Sequence, residues 1–201
     1  MLRFLPVLAL IVFAGWTGPA AAAIAGLEEA MSEMSLGRPD APVVMGEYSS
    51  LGCPHCATFH RETLPKIKAE YIDSGKLRLV LHDFPLGTAA LAAAMVARCA
   101  GKERYFGFVE ILFRSQPQWA NSNNPLADIA RIVRIGGMTH ADIDACLKYQ
   151  PLLDKIRSGA DMANEKLKIN STPTFIIGDE RIIGAMPYEE FKKAIDKALK
   201  K

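Results

Sequence analysis

The sequence predicts an α/β fold in which a β–α–β unit and a β–β–α unit bracket a helical block. Three observations predict it. Val43 to Ser49 and Leu77 to Leu81 read as strands on either side of a helical face. From Thr88 to about Lys168 the pattern is helical throughout, a stretch of about eighty residues. β-forming residues then return at Thr174 to Ile177 and Arg181 to Ile183, ahead of a last amphipathic helix. The 201 residues suit one domain, or one domain carrying an insertion. Half are apolar and 23% are charged, which supplies a core and excludes wholesale disorder. Lys plus Arg is 24 and Asp plus Glu is 22, a net charge of +2, so the strongly basic face of a nucleic-acid binder is excluded.

The N-terminus reads as a targeting segment, residues 1–23. Arg3 is a short basic start, and Phe4 to Trp16 is apolar but short for a membrane span. Pro19 breaks the run, and Ala20 to Ala23 offers cleavage after Ala22 or Ala23. The remaining chain is therefore expected to be exported and soluble, with a Gram-negative periplasm as the compartment. Residues 24–36 carry Leu27, Met31 and Met34 at helical spacing, a short amphipathic arm.

The main domain is expected over 37–201. Gly37 to Pro42 is a turn-rich lead into the first strand. Ser50-Leu51-Gly52 is a tight connection, and Pro54 suits the first turn of the following helix. Phe59, Leu64, Ile67 and Tyr71 mark one helical face, with Pro65 inside it as a kink and Gly75 as its stop. Leu77, Leu79 and Leu81 alternate with Arg78, Val80 and His82, the period of a strand. In the block about 88–168, helices are expected over Ala89 to Cys99, Tyr105 to Arg114, Pro125 to Ile135, after Thr139, and from Pro151. Thr139 and Asp142 have capping-box spacing. Tyr188, Phe191, Ile195 and Leu199 line the last helix.

Four cysteines are too few for a disulfide scaffold of this length. Cys53-Pro54-His55-Cys56 is a C-x-x-C at the first strand-to-helix turn. A thiol at a helix N-terminus is favoured as thiolate by unpaired N–H groups and the macrodipole, and thiolate is the form that exchanges disulfides. His55 can add charge or a donor beside it. Cys56, one turn further, can close a disulfide on Cys53. Zinc sites also use C-x-x-C, but there is no second such pair, so no metal is expected. Cys99 and Cys146 stand 47 positions apart on apolar helix faces. They are two buried thiols or, in an oxidising compartment, a structural disulfide. His60, His82 and His140 read as structural or solvated.

With that C-x-x-C, Ser171-Thr172-Pro173-Thr174-Phe175 and Glu47 six residues before Cys53, the chain resembles the DsbA family of periplasmic thiol–disulfide oxidoreductases. That family belongs to the thioredoxin superfamily, and the resemblance spans roughly Gly37 to Lys201. It implies a thioredoxin-like fold with a helical insertion, and a cis bond between Thr172 and Pro173. It implies Cys53, Cys56, His55 and Pro54 as the catalytic motif, with Thr172 and Pro173 as a substrate-binding loop. Glu47 is either a solvent-facing acid or, as the family position favours, a semi-buried acid below Cys56 that relays a proton to or from that thiol. Some relatives carry a second disulfide, the place taken here by Cys99 and Cys146. The implied activity is a monomeric dithiol oxidase acting on reduced exported proteins, re-oxidised by a membrane partner of the DsbB type, with no cofactor. An isomerase or reductase on the same fold, and a non-catalytic chaperone or binding module, are the alternatives.

Overall fold

A computed structural model describes residues 27–201. The expected targeting segment, residues 1–23, lies outside the described residues, as does the start of the arm. The arm itself is not one helix. Helix α1 covers only Leu27–Ala30, and Met34–Leu36 is a strand, β1. Helical spacing of Leu27, Met31 and Met34 is outweighed by pairing: Met34 to Leu36 run antiparallel to Leu81 to Leu79. That pairing satisfies the backbone and encloses Met34, which is 1% exposed.

Strand β2 spans Val43–Ser49 and turns alternate residues inward: Val43, Met45, Glu47 and Ser49 are buried. After α2 (Pro54–Thr58) and α3 (Leu64–Ile67), strand β3 (Leu77–Asp83) lies parallel to β2. The expected kink at Pro65 takes a specific form. A π-helical turn, Phe59–Thr63, precedes it, and the Leu64 N–H bonds to the Phe59 carbonyl. The wider turn carries the helix past a residue that lacks an N–H and crowds the turn before it. A second π turn, Lys68–Ile72, closes this helical run. Phe59 is thereby set between Phe175 and Phe191, at ring-centroid distances of 4.4 and 5.2 Å.

The helical block follows: α4 (Thr88–Cys99), α5 (Lys102–Arg114), α6 (Gln116–Trp119), α7 (Pro125–Ile135), α8 (His140–Leu147) and α9 (Gln150–Leu167). The short α6 has no counterpart in the helical periodicity. Thr139 and Asp142 form the expected capping box at the start of α8. Strands β4 (Thr174–Ile177) and β5 (Glu180–Ile183) form a hairpin; β5 begins one residue before the apolar pattern suggests. Its turn uses Gly178 at φ 56°, a conformation glycine adopts without a Cβ clash. Helix α10 is Tyr188–Ala198. The five-stranded sheet has the order β1-β3-β2-β4-β5, with only β2 and β3 parallel.

Two cores result. One joins the sheet to α3 and α10 around Met45, Phe59, Leu79, Phe175 and Phe191. The other fills the helical block around Met95, Tyr105, Leu112 and Trp119, and reaches Cys53 and Cys56. Arg98 of α4 ties the block to the N-terminal arm. It pairs with Asp83 at the end of β3 and donates to the carbonyls of Ala30 and Ser32 at 3.1 and 2.9 Å. Removing it would strand a buried carboxylate, a loss of about 3–5 kcal/mol by the usual cost of breaking a buried pair.

Cys99 of α4 and Cys146 of α8 are disulfide-bonded, with Cα atoms 6.1 Å apart and 47 residues between them in sequence. Chain entropy puts closure of such a loop at about 4 kcal/mol before native strain. Alkylation of the oxidised, denatured protein is expected to find no free thiol. Two alkylatable thiols would show that this pair is not formed in solution.

Candidate active site

The end of β2 aims the chain into the tight turn Ser50-Leu51-Gly52. Ser50 Oγ holds that turn by accepting from the N–H groups of Gly52 and Leu86, at 3.2 and 3.1 Å. Cys53 is the N-cap of α2, in an extended conformation with φ −88° and ψ 122°. Pro54, with no N–H, occupies the first helical position, where none is needed. The helical block fixes the turn from outside. Gln116 of α6 is buried, and its Nε2 donates to the carbonyls of Leu51 and Cys53 at 2.6 and 3.0 Å.

From the other side comes the loop before β4. The Thr172–Pro173 peptide is cis. The Cys53 thiol donates to the Thr172 carbonyl at 3.3 Å. The Thr172 hydroxyl is enclosed and has no other partner among the described residues, so it is available to the same sulfur. Cys53 is 6% exposed and Cys56 is fully enclosed. The two thiols are free and adjacent, and only one of them is open to an incoming molecule.

Their electrostatics differ accordingly. Cys53 is lowered from an ordinary value near 9 to about 5. The largest cause is the hydrogen bond that the Cys56 thiol gives the thiolate. The Thr172 side chain and the backbone N–H groups of Cys56 and His55 add to it, while partial burial opposes. Cys56 is pushed far up, first by its burial and then by its bond to Cys53. The negative charges of Cys53 and Glu47 push the same way, and Ser49 opposes.

The remaining sequence candidates take up unequal places. The side chains of Pro54 and His55 are exposed; His55 acts on Cys53 through its backbone N–H. Glu47 is fully enclosed rather than facing solvent, and its charge acts on Cys56. Its partner is His60, whose Nε2 meets the two carboxylate oxygens at 2.9 and 3.1 Å. His60, read from the sequence as structural or solvated, is thus a nearly enclosed partner of Glu47. One signal for it was present: Cys56 and His60 are four apart, so they share a helix face. Gln116 and Ser49 were also missed. Nothing in their local sequence marks them, because both are defined by what the fold brings against them. His82 stacks on Tyr48 at 4.6 Å between centroids and feels the charge of Glu47, while His140 is exposed at the start of α8.

Comparison with known proteins bears on this geometry. The thioredoxin family model matches residues 29–197. The crystal structure of Wolbachia pipientis alpha-DsbA1 superposes with a TM-score of 0.78 at 34% identity, over 84% of this chain and 92% of that one. Disulfide bond formation protein D of Bacillus subtilis is 29% identical over 188 residues, 89% of this chain and 82% of its own. A Rickettsia prowazekii relative, described as a protein-disulfide oxidoreductase, is 30% identical over 169 residues; the chain spans 62% of its length. Among the described residues no helix is long and apolar enough to cross a membrane. The matched span, the topology and the position of the C-x-x-C turn against the cis-proline loop agree: the chain belongs to the thioredoxin family, in its DsbA-like branch.

Proposed function

We propose that this chain is a dithiol oxidase that introduces disulfide bonds into exported proteins through Cys53 and Cys56. One observation carries the reading. The accessible sulfur of the pair is the one stabilised as a thiolate, and its buried neighbour is held as a thiol. The oxidised disulfide carries no charge to stabilise, so everything that favours the Cys53 thiolate favours reduced enzyme. A protein whose reduced form is favoured hands its disulfide on.

The mechanism follows from the placement. A substrate thiolate attacks Cys53 Sγ, and the electron pair of the broken bond leaves on Cys56 Sγ. Cys56 takes up a proton, for which Glu47 is the donor. The substrate's second thiolate then attacks the substrate sulfur of the mixed disulfide, and Cys53 leaves as thiolate. Thr172 and Pro173 form the substrate-binding loop, with Thr172 backbone groups available to pair with an extended chain. Cys99 and Cys146 are structural. A membrane partner of the DsbB type re-oxidises the pair, and the enzyme works as a monomer in the periplasm. Each tenfold gain in Cys53 ionisation at fixed pH moves a two-electron couple by about 30 mV toward oxidant. Oxidation of a reduced dithiol peptide, with the redox equilibrium measured against glutathione, tests this. The expected couple is more oxidising than the roughly −270 mV of a reducing thioredoxin. A couple as reducing as that, with no peptide oxidised, would move the reading to a reductase.

Residues 1–23 are proposed to direct export and to be removed. N-terminal sequencing of protein from the cell envelope is expected to begin at Ala23 or Ile24. Chains that retain Met1 to Trp16 in most molecules would overturn it.

A further inference from the structure

Glu47 has no route to water of its own. It is fully enclosed, in the middle of β2. A buried acid that delivers one proton to Cys56 in each turnover must be refilled, and must be emptied again on re-oxidation. Its partner supplies the missing link. His60 touches both carboxylate oxygens through Nε2, and its side chain is 7% exposed while that of Glu47 is 0%. His60 also lines a surface cavity of about 440 Å³ between the helical run after β2 and helix α5. Among the described residues Nδ1 has no hydrogen-bond partner, and it is not among the enclosed polar atoms left unpaired. The ring is held edge-on to Phe59 at 5.6 Å and tilted on Phe113 at 4.5 Å, so its two nitrogens keep their directions. The π turn that precedes Pro65 contains His60 as its second residue, and from there His60 meets Glu47.

We propose that His60 is the water-side end of the proton route to Cys56, and that the cavity beside it is where the proton enters and leaves. The proposal rests on the reading of Glu47 as the proton donor to Cys56. When the Cys53–Cys56 bond breaks, one proton passes from Glu47 to the Cys56 sulfur. One passes from His60 Nε2 to Glu47, and one from water to the ring. The ring and the carboxylate end with as many protons as they began with, and the net transfer is one proton from water to Cys56. Re-oxidation runs the same transfers backwards. An imidazole suits the task because each of its nitrogens can take or give a proton near neutral pH. The charged groups facing it are Glu47 from β2, Arg61 and Lys68 from its own helical run, and Glu110 and Arg114 from α5. Arg61 pairs with Glu62, Lys68 with Asp73 and Arg114 with Glu110, so the cavity mouth is close to neutral. His60 touches no reacting sulfur; it acts through Glu47 as a positioning and relay residue.

The test is single-turnover oxidation of a reduced dithiol peptide by the purified oxidised protein, followed across pH. His60→Gln keeps a donor for Glu47 but has no second nitrogen to exchange a proton. It is expected to slow the reaction about tenfold near pH 7, at the low end of general acid–base effects. The redox equilibrium against glutathione should not move, because a relay speeds both directions alike. His60→Ala is expected to be slow in an inert buffer and to recover as imidazole is added at constant pH and ionic strength. Glu47→Gln should be slow as well, with no further loss on combining it with His60→Gln. A slow Glu47→Gln beside a His60→Gln at the normal rate and pH profile would overturn this proposal and leave the Glu47 donor standing. Normal rates for both variants would overturn both. A slow His60→Ala that imidazole does not restore, with a shifted redox equilibrium, would make His60 a structural partner only and overturn the relay.

Discussion

The stability difference between reduced and oxidised protein is expected to grow with pH between about 5 and about 9. The cause is a single thiol. Folded reduced protein ionises Cys53 at about 5, whereas an ordinary thiol ionises near 9. Below the lower value both folded and unfolded chains hold the proton, and Cys53 contributes nothing. Between the two values only the folded chain has lost it, so stability of the reduced form rises by about 1.4 kcal/mol per pH unit. Above the upper value the contribution is complete. Read downward, stability present above the unfolded value is lost as pH falls through the folded one. The sulfur lies at the cleft surface, so screening by solvent trims the total to a few kcal/mol. The oxidised form has no thiolate and should lack this slope. Paired denaturant titrations of the two forms across that range, with the thiolate followed by its ultraviolet absorbance, provide the measurement. Parallel curves for the two forms would sink the assignment. Thr172→Val, which removes a hydroxyl aimed at the sulfur, should raise the Cys53 value and narrow the window. His55→Ala should change it much less, because the backbone N–H that acts on Cys53 remains.

Cys53→Ser is expected to reduce peptide oxidation to the uncatalysed rate, while Cys56→Ser traps substrates. In the second variant Cys53 is accessible and is stabilised by every contact except the Cys56 thiol. Having no neighbouring sulfur to return to, it forms mixed disulfides that only a second external thiol can resolve. Non-reducing gels of Cys56→Ser incubated with an oxidised protein should show covalent adducts that vanish on reduction. Cys53→Ser leaves Cys56, fully enclosed and held protonated, and should form none. Equal adduct formation by the two variants would mean that burial does not set the order of attack. Activity remaining in Cys53→Ser would point to a non-thiol role for the site.

Much of this was legible in the sequence where a signal is local. Val43 to Ser49, the C-x-x-C turn, Leu77 to Leu81 and the capping box at Thr139 each combine a short-range period with a turn or cap residue. What was not legible depends on partners distant in sequence. Met34 sits at helical spacing from Leu27 and Met31, yet pairing with the edge of β3 makes Met34–Leu36 a strand. Pro65 announces a disturbance but not its form, since a kink and a π turn both answer a missing N–H. His60 and Glu47 lie 13 residues apart on different elements, and only the packing of the helical run on the sheet brings them together. The two sulfurs themselves were placed correctly on the helix, but their opposite environments follow first from their own hydrogen bond and from the burial of Cys56, with Thr172, 119 residues beyond Cys53, adding to the stabilisation of Cys53.

The grip of Gln116 on the active-site turn has a consequence for how such proteins can be rebuilt. An insertion of this size looks detachable, a cassette fitted between two halves of an older framework. Here one amide from the cassette holds the two carbonyls that orient the reactive cysteine. A chimera that takes its helical block from a relative would therefore inherit a different grip on Cys53. Its sulfur chemistry would change although every residue of the C-x-x-C and of the proline loop stayed the same. The block and the framework form one mechanical part, and the seam between them runs through the carbonyl of the nucleophile.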